Sequence, residues 1–223
     1  MTLTCTRFGL VVALSVLMTV LTTSVYAEDT PIDTAVSHVG LGGGISFINP
    51  HSSDGDRSTG ASVVYLWHSF HSHWGPSFGL DWHDTDFHQP LGSGSVPLGT
   101  LRMRALLAGV GGTQRFGKFW TSASLLAGYS FNDFSVAGGA APAFGSAGIS
   151  LVGVSVNNCA MVKPAVSAWY DVVSHVGVGI GAGYIVARPD RTMTTATGTE
   201  VHTLRADAWE LTAGVVFGLW KKH

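Results

Sequence analysis

Charge is scarce in this chain. Of 223 residues only 12% are Asp, Glu, Lys or Arg, and the formal net charge is −2, where about 25% charged residues is usual for a soluble domain. No basic surface follows from such a balance, so nucleic acid is not an expected partner. Cysteine is scarcer still, with Cys5 and Cys159 alone, too few for a framework of disulfides. Beyond residue 27 there is also no uninterrupted apolar run of the ~18 residues that a membrane-crossing helix requires. Glycine is abundant instead, at 29 residues, nearly twice its ordinary share.

The first 27 residues differ from the rest. A short polar start with one cation, Arg7, leads into an apolar run from Phe8 to about Leu21, then Thr22-Thr23-Ser24 and Val25-Tyr26-Ala27. This is the layout of a secretory signal, with cleavage expected before Glu28. Cys5 lies within that segment and is no acylation site. Cys159, left alone, has no partner for an intramolecular disulfide. The expected organisation is a signal at 1–27, a linker at 28–35 and one domain at 36–220. An exported, charge-poor, glycine-rich chain without a membrane helix can still satisfy its backbone in lipid by closing a β-barrel.

Alternation supports that solution. In Val176–Ala187, Val176, Val178, Ile180, Ala182, Tyr184 and Val186 alternate with Gly177, Gly179, Gly181 and Gly183. A bulky face toward lipid and a bare face toward a narrow lumen fit a transmembrane strand. Similar patterns occupy Val36–Ile48, Ser77–Thr85, Thr100–Gln114, Thr121–Phe131 and Trp209–Trp220. Ala61–Phe70 and Met161–Val172 complete eight strands with weaker patterns. The links His71–Pro76, Arg115–Lys118 and Val173–Ser174 are short, whereas 49–60, 86–99, 132–160 and 188–202 are long. Short periplasmic turns alternating with long external loops are expected of an outer-membrane barrel. Ile149–Val156, inside the third long loop, could be a ninth strand extension or a loop helix. Aromatics gather at strand ends in two girdles: Trp67, Phe70, Trp74, Phe78, Phe116, Phe119, Trp120, Trp169, Tyr170, Phe217 and Trp220 near the turns, and Trp82, Phe87, Tyr129, Phe131, Phe134, Tyr184 and Trp209 near the loops, as rings at a water–lipid boundary would.

The expected fold class is therefore all-β, a closed antiparallel up-and-down transmembrane β-barrel of about eight strands, placed in the bacterial outer membrane. From about Val36 to Trp220 the chain resembles the small eight-stranded OmpA/OmpX-like barrels. The segment Gly214-Val215-Val216-Phe217-Gly218-Leu219 is similar to the C-terminal assembly signal of such proteins, although Ala213 replaces a usual polar residue and Lys221-Lys222-His223 follow. The resemblance implies Gly214, Phe217 and Leu219 as the assembly signal and the barrel-assembly machinery as a partner. It implies no activity, because members of the class differ widely in function. The peptidoglycan-binding domain of full-length OmpA proteins is not expected here.

Charged residues on expected lumen-facing positions are the main site candidates: Asp81, Arg102, Arg104, Asp171 and Glu210, with His83 beside them. A barrel of eight strands has room inside only for side chains, so ions there must pair. Antiparallel registry of the third and fourth strands places Asp81 near Arg104 and His83 near Arg102, giving a plugged lumen or, alternatively, a gated narrow pore. His68, His71 and His73, and the group Asp81, His83, Asp84 and Asp86, carry metal-ligating side chains, but surface histidines are the simpler assignment and no metal or other cofactor is expected. His68-Ser69 and His71-Ser72 supply the residue types of an outer-leaflet lipid deacylase, yet stand at the periplasmic end with no orienting carboxylate nearby in sequence. A non-enzymatic barrel with a structural or surface-interaction role is the expectation. It would be a monomer in contact with outer-membrane lipids, with any extracellular ligand at the four long loops. A lipid-modifying enzyme and a small passive pore are the alternatives.

Overall fold

The computed structural model describes residues 39–52, 54–67, 74–91, 94–173 and 175–218. The signal and linker segments, His68, His71 and His73, and Leu219 lie outside the described residues. Eight strands close one barrel: β1 (Val39–Pro50), β2 (Ser58–Trp67), β3 (Trp74–Leu91), β4 (Gly94–Phe116), β5 (Phe119–Val136), β7 (Cys159–Val173), β8 (Val176–Ala187) and β11 (Ala208–Gly218). Each pairs antiparallel with its neighbour in the chain's path around the ring, and β1 against β11 closes the seam. The remaining strands, β6 (Leu151–Val156), β9 (Asp190–Thr195) and β10 (Gly198–Thr203), form a separate sheet in the order β10–β9–β6.

Alternation of side-chain size decides which face points where. On β8, Ile180 is 70% exposed while the intervening glycines turn inward, and on β4 Leu101 is completely buried. Small inward residues permit tight closure. At the seam Gly44 opposes Gly214, and a Cβ built on Gly214 would lie 2.1 Å from the Gly43 carbonyl oxygen. At the other end of the strands, Gly117 adopts φ +65° in the two-residue turn between Phe116 and Phe119, a conformation that costs glycine little.

The long connections are more ordered than a loop pattern suggests. Segment 86–99 mostly prolongs the β3–β4 ladder, which continues to the Leu91–Gly94 pair with a bulge at Phe87/His88. In segment 132–160, helix α1 (Ala140–Ser146) precedes β6. Of the two expectations for Ile149–Val156, a ninth strand extension or a loop helix, the structure shows a strand, which lies outside the barrel ring. Most of it is β6, which pairs with β9 of segment 188–202. Only two residues separate β6 from β7 and two separate β8 from β9, and the Asn157 amide donates to the Asp190 carbonyl at 2.9 Å across that gap. The small sheet therefore continues the β7–β8 hairpin past the barrel rim. It packs with Leu98 and α1 through Leu151, Val154, Met193 and the buried Phe144.

Candidate functional site

Three barrel strands send ions to one point in the lumen. Lys163 Nζ, on β7, donates to both carboxylate oxygens of Asp81, on β3, at 2.7 and 2.9 Å, and to Ser62 Oγ at 3.4 Å. It also ion-pairs with Glu210, on β11. All three charged side chains are at most 4% exposed. Because β3, β7 and β11 divide the ring into arcs of three, two and three steps, the cluster spans the lumen as a tripod and does not run along one wall. His83, two residues beyond Asp81 and equally buried, faces the same region from β3. Geometry of this kind offsets the desolvation of each ion, but only while both signs are present.

The lumen differs on the two sides of this tripod. Toward the long loops it is filled by an apolar cluster that includes Ile48, Phe87, Leu101, Met103, Met161 and Ile185. Leu204, from the segment between β10 and β11, joins that cluster from above. Toward the short turns lies a cavity of about 130 Å³ among small residues such as Ser122, Ser124, Ser167 and Gly181. Its far side is formed by Trp120 and Trp169, stacked at 5.8 Å with their planes 7° apart. Trp120 Nε1 donates to Asp171 at 2.8 Å. These two tryptophans are buried inside the barrel and do not belong to the outer girdle expected for them. Trp82, Tyr129, Phe131 and Phe78 do face outward.

Of the lumen positions named from sequence, Asp81, His83, Asp171 and Glu210 have buried side chains. Asp171 contacts the tryptophan pair, whereas Asp81 and Glu210 meet at Lys163. Arg102 and Arg104 correct the sequence expectation, for both point outward. The β3–β4 ladder pairs Trp82 with Arg104 and Asp81 with Ala105, one residue away from the expected registry, and a slip of one residue moves every side chain to the opposite face. Leu101, Met103, Ala105 and Leu107 fill the lumen in their place. Arg102 lies 3.7 Å from Asp84 and 4.0 Å from Asp133, and the Arg104 guanidinium stacks 4.7 Å from the Trp82 ring centroid.

Lys163 was not among the sequence candidates, although a signal for it existed. Asp171 was placed on the lumen face, and Lys163 is eight residues away on the same strand, hence on the same face. The group Asp81, His83, Asp84 and Asp86 is split by the same alternation, the first two facing in and Asp84 and Asp86 leaning out. No cluster of metal-ligating side chains occurs among the described residues. Above the rim, Arg191 on β9 donates to Gln89 at 3.0 Å and joins the small sheet to the β3–β4 hairpin. Partial burial lowers its guanidinium from the usual value, opposed by Asp54 and Glu200.

A closed ring of eight strands, apolar outside and holding paired ions inside, with tight turns at one end and raised elements at the other, defines a small transmembrane β-barrel of the bacterial outer membrane. The long-loop end is then extracellular. The crystal structure of the outer membrane protein OprG from Pseudomonas aeruginosa has this fold. It matches with a TM-score of 0.69 at 12% identity, over 82% of this chain and 96% of that one. The solid-state NMR structure of outer membrane protein AlkL in DMPC lipid bilayers matches with a TM-score of 0.55 at 13% identity, over 88% of this chain and 98% of that one. No family model matches the sequence, and no curated protein matches it by sequence. At these identities the likeness is one of fold.

Proposed function

We propose that this chain is a non-enzymatic outer-membrane barrel, closed to ions, that works at its extracellular face and not through its lumen. The observation that carries this reading is the buried Lys163–Asp81–Glu210 tripod across the lumen, with tightly packed apolar side chains above it. An ion crossing the barrel would have to displace an intact network of paired charges and then cross an apolar layer. The extracellular end, by contrast, carries α1 and the β6–β9–β10 sheet, in which every residue of β10 is exposed. Any ligand would be met there, at 49–60, 86–99, 132–160 and 188–202. In this proposal the protein is a monomer that holds no cofactor. Outer-membrane lipids surround it, and the barrel-assembly machinery inserts it through Gly214, Phe217 and Leu219. Planar-bilayer recording tests the closed lumen. Purified protein is expected to give no unitary currents, and a reproducible single-channel conductance would overturn the proposal. Unchanged lipid A mass spectra after expression are expected on the same reading, and a lost acyl chain would restore the deacylase alternative.

A further inference from the structure

The outer wall contains a cation, Arg104, that forms no ion pair among the described residues. On the lipid-facing side of β3, β4 and β5, cross-strand partners form successive layers. In the layer Asp84–Arg102–Asp133 the one guanidinium is shared by two carboxylates. One step closer to the membrane centre, the layer Trp82–Arg104–Phe131 holds two exposed aromatic rings and a guanidinium. Arg104 stacks on Trp82, but no carboxylate among the described residues pairs with it. Immediately below, Phe78, Leu80, Leu106, Ala108, Ala127 and Tyr129 border an open apolar groove of about 640 Å³ on the wall. The groove is deepened where Ala108 and Ala127 stand opposite each other between bulkier neighbours.

We propose that Arg104 and this groove form a binding site for one lipid of the outer leaflet whose phosphate headgroup carries net negative charge. The acyl chain lies along the groove, and the phosphate meets the guanidinium, which Trp82 holds at the upper mouth. Three features make the occupant a lipid. The groove is apolar and opens toward hydrocarbon, Arg104 stands on its strand just above the groove-lining Leu106, and its one guanidinium charge complements one anionic phosphate. A guanidinium also presents a planar fork that matches phosphate oxygens. Arg102 is occupied by Asp84 and Asp133 and takes no part. The site lies outside the barrel and is independent of whether the lumen conducts.

The test uses the refolded full barrel in phosphatidylcholine vesicles containing a minority of phosphatidylglycerol. The protein is extracted into mild detergent, and retained lipid is counted by native mass spectrometry. Wild type is expected to retain phosphatidylglycerol in preference to phosphatidylcholine. Arg104→Gln should lower that preference about fivefold, the worth of one cation near an anionic surface. Arg104→Lys should restore part of it. Ala108→Phe, which fills the groove but keeps the cation, should reduce retention of both lipids. Heat-modifiable gel migration confirms that each variant is folded. Equal retention of the two lipids by wild type, undiminished preference in Arg104→Gln, or full retention in Ala108→Phe would each overturn the proposal.

Discussion

Replacing Lys163 with Met removes the only cation of the lumen tripod while keeping most of its volume. Two carboxylates, Asp81 and Glu210, each 3% exposed, would then face each other without compensation. Removing one partner of a buried ion pair typically costs about 3–5 kcal/mol, and here the lost partner serves two acids. Neutralising either acid alone is a smaller change. Asp81→Asn or Glu210→Gln leaves Lys163 one carboxylate and an amide oxygen, so the ammonium remains paired and the local charge falls to zero. About 1 kcal/mol, the net worth of one hydrogen bond, is expected for each. The triple replacement Lys163→Met, Asp81→Asn, Glu210→Gln removes every ion and should recover most of the loss of the single Met variant. Urea unfolding in lipid vesicles, followed by tryptophan fluorescence, gives these differences as midpoint shifts at constant slope. A Lys163→Met barrel within about 0.5 kcal/mol of wild type, the range of an ordinary surface change, would refute the reasoning. So would either acid variant proving less stable than Lys163→Met.

Three further perturbations address other parts of the barrel. Trp120→Phe keeps the ring stack but deprives the buried Asp171 of its indole donor; a loss of about 1–3 kcal/mol is expected in the same unfolding assay, with Asp171→Asn less harmful. Gly214→Ala places a Cβ within 2.1 Å of the Gly43 carbonyl oxygen at the closing seam, so it should cost about 1–3 kcal/mol as overpacking and lower the heat-modifiable fraction recovered after refolding. Ile180→Lys puts a cation on a side chain that is 70% exposed near the middle of β8. A loss of about 2–4 kcal/mol is expected if that face meets hydrocarbon, and an unchanged unfolding midpoint in vesicles would argue that it meets water.

The barrel itself was legible in the sequence because its signals are local. Val176–Ala187 alternates bulky and bare positions at every step, and the observed β8 has the same bounds. Val39, Leu41, Ile45 and Phe47 against Gly40, Gly42, Gly44 and Ser46 likewise set the faces of β1 without knowledge of its neighbours. Strand β4 resisted the same logic. Its alternating sets are Arg102 and Arg104 on one side and Leu101, Met103, Ala105 and Leu107 on the other, and both assignments are chemically reasonable for a narrow lumen. Polar-inside is the usual pattern of membrane barrels, and by that rule the sequence alone assigns the arginines to the lumen. The structure gives it to the apolar set. What decides the matter is pairing with β3, where one residue of registry exchanges the two faces, and no local pattern reports that registry.

Lys163 and the extracellular sheet were hidden for different reasons. The tripod joins residues on three strands separated by 82 positions between Lys163 and Asp81 alone, so only the closed ring brings its members together. Face alternation could nevertheless have predicted an inward Lys163 from Asp171, and a buried lysine then demands acids from elsewhere in the lumen. Strands β6 and β9 offer less. The β9 sequence Asp190-Arg191-Thr192-Met193-Thr194-Thr195 has one apolar side chain, and that Met193 is partly buried against the cluster of Leu98, Ala140 and Phe144. A segment so polar resembles a solvated loop until its partner is known. Its strand character comes from continuity, because β8 ends two residues earlier already paired with β7, and β6 enters β7 after a gap of the same length. The ladder of the barrel wall is thereby extended above the rim, with Asn157 donating to Asp190 to bridge the break. The small sheet is consequently built on the wall it rises from, but β6 and β9 pair one residue out of the β7–β8 register (Val156 opposite Arg191, Met161 opposite Ala187). The residues they display are therefore set by the break at the rim and not by the registry below it.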